Sequence, residues 1–242
     1  MSSWFVTYGR ATNPTHKVIC FHPAGGSASQ FRTWSEHFSN EISIIALQLP
    51  GREDRFNEEK ITEFSSIIPI LLKEIKPHLT LPYVIVGHSL GALIGFELIR
   101  NLQIQRYPLP KILVVAAKEP PHLHHIPSRS NIIDDKWLVE RLKSYNAVPS
   151  YLFQFEEFSK IFLPYIRNDF LLLSSYLYSA SPKLRVPVLA LYGTEDKTVS
   201  LNKINSWGDL TEDTFQLKRF KGGYFFIKEE EKKVLEHLSS FL

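Results

Sequence analysis

The 242-residue sequence predicts an α/β fold, a mostly parallel central sheet flanked by helices, forming one domain over residues 1–242. Three observations carry this. Short β-rich runs alternate with longer stretches of helical periodicity, the pattern of a parallel sheet covered by helices. Four of the runs are nearly continuous in apolar residues, as strands buried on both faces are. A single long stretch, roughly 119–182, breaks the alternation and predicts a helical lid inserted between two strands.

Taken in order, the strands are expected at Lys17–Phe21, Ile42–Gln48, Tyr83–Val86, Lys111–Ala116, Val186–Tyr192 and Thr214–Phe220. Helices are expected at Glu59–Lys76, Leu90–Gln105, Asn202–Trp207 and Lys228–Leu242. Apolar residues from Ile67 to Ile75 recur at helical spacing, but Pro69 should kink or restart that helix. Glu119–Pro127 is rich in Pro and His and should be irregular. Helices are then expected around Asp134–Tyr145 and from Glu156 to Tyr178. Ten aromatic residues fall between Tyr145 and Tyr178, twice the density of the whole chain. That density fits a tunnel for an apolar substrate, and equally a helical subdomain with its own core. Lys228–Lys233 should be a solvated first helical turn.

Composition removes several classes. With 44% hydrophobic and 22% charged residues the chain is an ordinary globular protein, and no apolar run reaches the length of a membrane span. The 28 basic against 25 acidic residues give a net charge of +3 without clustering, which argues against a nucleic-acid partner. The start Met1–Val6 lacks the basic-then-apolar pattern of a secretory leader, and a cytoplasmic location is expected. One cysteine, Cys20, forms no intrachain disulfide or thiolate metal site. Three histidines in Pro121-His122-Leu123-His124-His125 have no carboxylate or cysteine at companion spacing, so no metal or other cofactor is expected.

The chemistry starts at Gly87-His88-Ser89-Leu90-Gly91, which follows an apolar strand and opens a helix. A serine at a strained strand-to-helix turn exposes its Oγ, and the helix start aims N–H groups at developing negative charge. A serine nucleophile needs a base and an acid that orients the base. Asp196, just past a buried-type strand in Tyr192-Gly193-Thr194-Glu195-Asp196, is the candidate acid, though the same residues suit a solvated turn. The order Ser, Asp, His then calls for a histidine before the last helix. That loop reads Phe220-Lys221-Gly222-Gly223-Tyr224-Phe225 and has none; His237, the one later histidine, lies inside a helical pattern.

Further landmarks are Cys20-Phe21-His22-Pro23-Ala24-Gly25-Gly26, Leu49-Pro50-Gly51-Arg52-Glu53-Asp54-Arg55, Pro120-Pro121-His122, and Phe162-Leu163-Pro164 with Arg167 and Asp169. With the serine motif they make the chain resemble the stand-alone (type II) thioesterases of nonribosomal peptide and polyketide assembly lines, over about Lys17–Phe226. The resemblance implies an α/β-hydrolase with a helical lid that hydrolyses acyl groups from the phosphopantetheine arm of acyl or peptidyl carrier proteins, with no cofactor of its own; no heptad or exposed apolar stripe demands a partner, so a monomer is expected. It implies Ser89 as nucleophile, Asp196 as orienting acid, and the backbone N–H groups of Ala24 and Leu90 as oxyanion hole. The family's catalytic histidine falls on Tyr224. A phenol with a reference pKa of about 10 does not cycle a proton near neutrality. Four readings follow: hydrolysis with a relocated base, His22 first and then His122, His124 or His125; a binding module for acyl-carrier proteins; non-hydrolytic acyl chemistry with Tyr224 as proton donor; or an ordinary thioesterase whose histidine has been replaced. His88 should point away from Ser89 and is a poor base.

Overall fold

The computed structural model describes residues 4–9, 11–124, 133–148, 150–180 and 182–242. Its strands are β1 (Phe5–Tyr8), β2 (His16–Phe21), β3 (Ile42–Leu47), β4 (Tyr83–His88), β5 (Leu113–Ala116), β6 (Val188–Gly193) and β7 (Phe215–Phe220). They form one sheet in the order β1-β3-β2-β4-β5-β6-β7. β1 pairs antiparallel with β3, and every other pairing is parallel. The expected strands are all present within a residue or two. β1 was not expected: its four residues are half-buried or exposed at the sheet edge, too short for a readable pattern.

The helices are α1 (Trp34–His37), α2 (Phe64–Glu74), α3 (Leu90–Ile104), α4 (Asp135–Ser144), α5 (Glu156–Ser174), α6 (Leu201–Asn205), α7 (Phe226–Glu229) and α8 (Glu231–Leu238). Three departures from expectation have physical causes. α2 starts at Phe64 rather than Glu59, where the Phe64 amide donates to Ser175 Oγ at 2.7 Å. Pro69 lies inside α2 without ending it. Proline removes the bond to the carbonyl four residues back, and that residue, Ser65, is exposed to water, while Ile67, Ile68, Leu71 and Leu72 keep the buried face continuous. The C-terminal helix is divided at Glu230 (φ −110°, ψ 29°), so Lys228–Lys233 spans the end of α7 and the start of α8 instead of one first turn. The two pieces bury different sets, Phe226 and Ile227 against Val234, Leu235 and Leu238.

α3 is buried along nearly its whole length, from Leu90 to Leu102, and packs on β4, β2 and β5. The lid helices α4 and α5 bury Leu138, Leu142, Leu163, Ile166 and Phe170 in the same apolar cluster as Ile19 and Phe21 of β2 and Leu93 of α3. The segment between β5 and β6 therefore shares the main core on one side of the sheet and is not a subdomain with a core of its own. Among the described residues no helix is long and apolar enough to cross a membrane.

Candidate active site

Ser89 joins β4 to α3 at φ 53°, ψ −109°, a left-handed conformation that costs a non-glycine residue about 1–3 kcal/mol. The glycines beside it make the turn possible. A Cβ on Gly91 would lie 2.1 Å from the Phe21 carbonyl oxygen of β2, and one on Gly87 would lie 2.4 Å from the Gly91 oxygen. The Ser89 amide donates to the Ala116 carbonyl at the end of β5 (2.9 Å). Leu90 is the first residue of α3, so its N–H belongs to the terminal set with no intrahelical acceptor. Phe21 pairs with Gly87 across β2 and β4, which sets the loop that follows β2, with Ala24, beside the serine turn.

Asp196 sits in a turn stitched to the Tyr224 loop: the Thr194 amide donates to Phe220, Glu195 to Gly222 and Asp196 to Gly193, at 2.9, 2.9 and 3.0 Å. Thr198 donates to Asp196 Oδ1 from both its amide (2.7 Å) and its hydroxyl (2.6 Å). Asp-x-Thr is a side-chain turn pattern, a signal for this bond that the sequence carries. Among the described residues Oδ2 is buried and accepts no hydrogen bond. Burial raises the Asp196 pKa, against which the Thr198 bonds and the nearby Val199 amide act.

Tyr224 is brought to the serine. Burial pushes its phenol well above the ordinary tyrosine range, the Tyr145 hydroxyl adds to that, and the nearby Ser89 hydroxyl works in the opposite direction. Its ring stacks on Tyr145 at the C-terminal end of α4, centroids 4.3 Å apart and 5° from parallel. Arg141 lies over the other ring of that stack, 4.9 Å from the Tyr145 centroid. Nothing in the sequence singled out Tyr145 or Arg141, because the contact spans about eighty residues and depends on lid placement.

The histidines occupy other places. His22 is buried, its Nδ1–H donates to the Pro23 carbonyl at 2.8 Å, and burial with the nearby Arg52 charge lowers its pKa to about 4. It makes no hydrogen bond to Ser89, and among the described residues its buried Nε2 has no partner. His88 points to the Tyr224 backbone, with Nε2–H donating to that carbonyl at 3.0 Å, and burial lowers its pKa to about 4. His122 packs on Tyr178. His124 accepts from Lys118 Nζ at 2.8 Å and donates to the Leu173 carbonyl at 3.1 Å. His125 lies outside the described residues. His237 is half-buried in α8, far from this chemistry in role, its ring against Phe241.

A cavity of about 740 Å³ opens next to the Ala24 loop and runs under the lid, walled by Ala24, Leu142, Val148, Phe162, Ile166 and Phe225. Its walls are mainly apolar and come from the loop after β2, α4, α5 and the Tyr224 loop. Ala24 lines this space, while Ser89, Asp196 and Tyr224 are not among its walls. Among the described residues no group of three or more His, Cys, Asp or Glu could hold a metal ion.

The sheet, the serine turn after β4 and the helical segment before β6 define an α/β-hydrolase. Residues 16–242 match the thioesterase domain family, and the chain belongs to that family. It is 31% identical to gramicidin S biosynthesis protein GrsT of Aneurinibacillus migulanus, over 98% of this chain and 93% of that protein. Among solved structures it is similar to the RedJ thioesterase of the prodiginine biosynthetic pathway in Streptomyces coelicolor, with TM-score 0.87 and 26% identity over 97% and 93% of the two chains. It is also similar to BorB, a type II thioesterase of the borrelidin biosynthetic cluster, with TM-score 0.86 and 27% identity over 100% and 97%.

Proposed function

We propose that the chain hydrolyses acyl thioesters presented on the phosphopantetheine arm of carrier proteins, that Ser89 is the nucleophile, and that turnover is slow because no histidine among the described residues hydrogen-bonds it. Ser89 Oγ attacks the thioester carbon, the carbonyl electron pair moves to oxygen beside the Ala24 and Leu90 amides, and collapse of the adduct expels the thiolate. A thiol with a pKa of about 8.5 leaves without a general acid. Water then attacks the acyl-serine and releases the carboxylic acid. The serine proton passes through solvent to the departing thiolate and the proton of the attacking water returns to Ser89 Oγ, both slowly, because a neutral, buried phenol at Tyr224 is a poor relay.

The observation that carries the reading is the pairing of a strained Ser89 with an unpartnered Asp196 Oδ2 across Tyr224. Imidazole carries a nitrogen on two edges of its ring and can meet a serine and an aspartate at once. Phenol has one polar atom at its tip. A single tip oxygen cannot stand between Ser89 and Asp196 as the two nitrogens of an imidazole can, and no hydrogen bond joins Tyr224 to Asp196 among the described residues. The same observation favours a second reading, a binding module that holds acyl-pantetheine groups without releasing them.

Thiol release from a short-chain acyl-pantetheine separates the two. Tyr224→His should raise turnover by about 10³-fold or more, and Ser89→Ala should abolish it in both backgrounds. Unchanged turnover in Tyr224→His, with loss in Ser89→Ala, would mean another base already serves the serine. No turnover in either, with acyl-pantetheine bound, would favour the binding module.

A further inference from the structure

The turn that carries Ala24 is held by groups distant in sequence. Arg52 donates from Nη2 to Asp169 Oδ1 at 2.6 Å and from Nη1 to Asp169 Oδ2 at 2.7 Å, a two-pronged pair whose side chains are 5% and 3% exposed. The same Oδ2 accepts the Gly25 amide at 2.7 Å, and Arg52 Nη1 also donates to the Gly26 carbonyl at 2.8 Å. Asp169 belongs to the lid helix α5, as do Tyr165, whose ring covers the Arg52 guanidinium at 5.6 Å, and Ile166. Gly25 has φ +74°, and a Cβ there would meet Ile166 Cγ1 at 3.1 Å. The peptide groups on the C-terminal side of Ala24 are thus fixed from the lid.

A buried ion pair contributes little to stability compared with apolar residues of the same volume, because both charges must be stripped of water. Among the described residues Arg52 Nε is moreover buried with no partner. What the pair does supply is direction: two backbone groups of one turn are held at hydrogen-bond distance by a rigid fork. We propose that Arg52 and Asp169 are positioning residues that set the Ala24 amide toward the thioester oxygen, and that this half of the oxyanion hole is complete only while α5 is docked. The inference rests on the reading of Ser89 and Ala24 given above.

The test replaces both charges together, Arg52→Met with Asp169→Leu, so that neither is left buried alone. The melting temperature should stay within a few degrees of the unmodified protein. Amide exchange in a peptide covering 22–27 should speed at least tenfold. In the unmodified and Tyr224→His backgrounds kcat for an acyl-pantetheine should fall by about 30-fold or more, with KM changed less than threefold, since one lost oxyanion donor costs about 10²–10³. Unchanged exchange over 22–27 overturns the proposal whatever the activity. Faster exchange with unchanged kcat overturns it too, provided Ser89→Ala is inactive. Turnover surviving Ser89→Ala would instead remove the serine reading, and the exchange result alone would then decide the clamp. If the double variant does not fold, Arg52→Lys, which keeps the charge and loses the fork, should lower kcat at least tenfold with KM held; an unchanged kcat overturns the proposal.

Discussion

Exchanging an imidazole for a phenol alters both basicity and the number of edges at which a ring can bond, and the consequences are separable at Asp196. Among the described residues this carboxylate hydrogen-bonds no histidine. Asp196→Asn should therefore change turnover less than tenfold, whereas in the Tyr224→His background it should cost about 10⁴-fold, the effect of losing the residue that orients a catalytic histidine. Steady-state rates of the four proteins give the coupling directly, and equal losses in both backgrounds would show that Asp196 acts without a histidine. Ser89 offers a second test. Its φ of 53° is a cost of folding that glycine does not bear, so Ser89→Gly should raise stability by about 1 kcal/mol while turnover is lost; urea unfolding reads the first and thiol release the second. These residues were visible in the sequence because each sits inside a local pattern, Gly-x-Ser-x-Gly or Gly-Thr-Glu-Asp. Arg52 and Asp169 were visible as landmarks only, since their pairing spans 117 positions and depends on where α5 lands.

Elements were legible to the degree that one face decided them. β2 to β6 lie inside the sheet, and their apolar runs left little choice. β1 and the division between α7 and α8 were not legible, because a four-residue edge strand has no period and both helical pieces carry similar charged faces. For the lid, aromatic density allowed either a substrate tunnel or a separate core, and packing decided the second point against separation. Leu138 of α4 is fully buried in the cluster that contains Ile19 and Phe21. Leu138→Ala should therefore cost about 2–5 kcal/mol of global stability and keep a single unfolding transition by calorimetry. A separate low-temperature transition, with the main one unmoved, would mean the lid melts on its own.

Across the whole molecule, two buried histidines tie stability to pH. His22 and His88 each have a pKa lowered to about 4, in both cases chiefly by burial, with the Arg52 charge adding at His22. In the unfolded chain both titrate near 6.5. The folded state thus binds fewer protons than the unfolded state between these values, and stability falls as pH falls. Their contribution is fully present above about pH 6.5 and is lost progressively toward pH 4, by about 3 kcal/mol for each group over that window. The melting temperature should accordingly be flat from pH 7 to 8 and decline steeply below pH 6. His88→Gln removes one titrating group and retains a side-chain N–H for the Tyr224 carbonyl, so it should start from a similar melting temperature at pH 7.5 and lose about half as much of the stability assigned to this pair by pH 4.5. A variant as acid-sensitive as its parent would mean that His88 takes up its proton without cost in the fold. The loop carrying Tyr224 would then have to accommodate a charged imidazole beside Ser89, and the site's own protonation would have to be measured before any pH–rate profile could be assigned to Asp196.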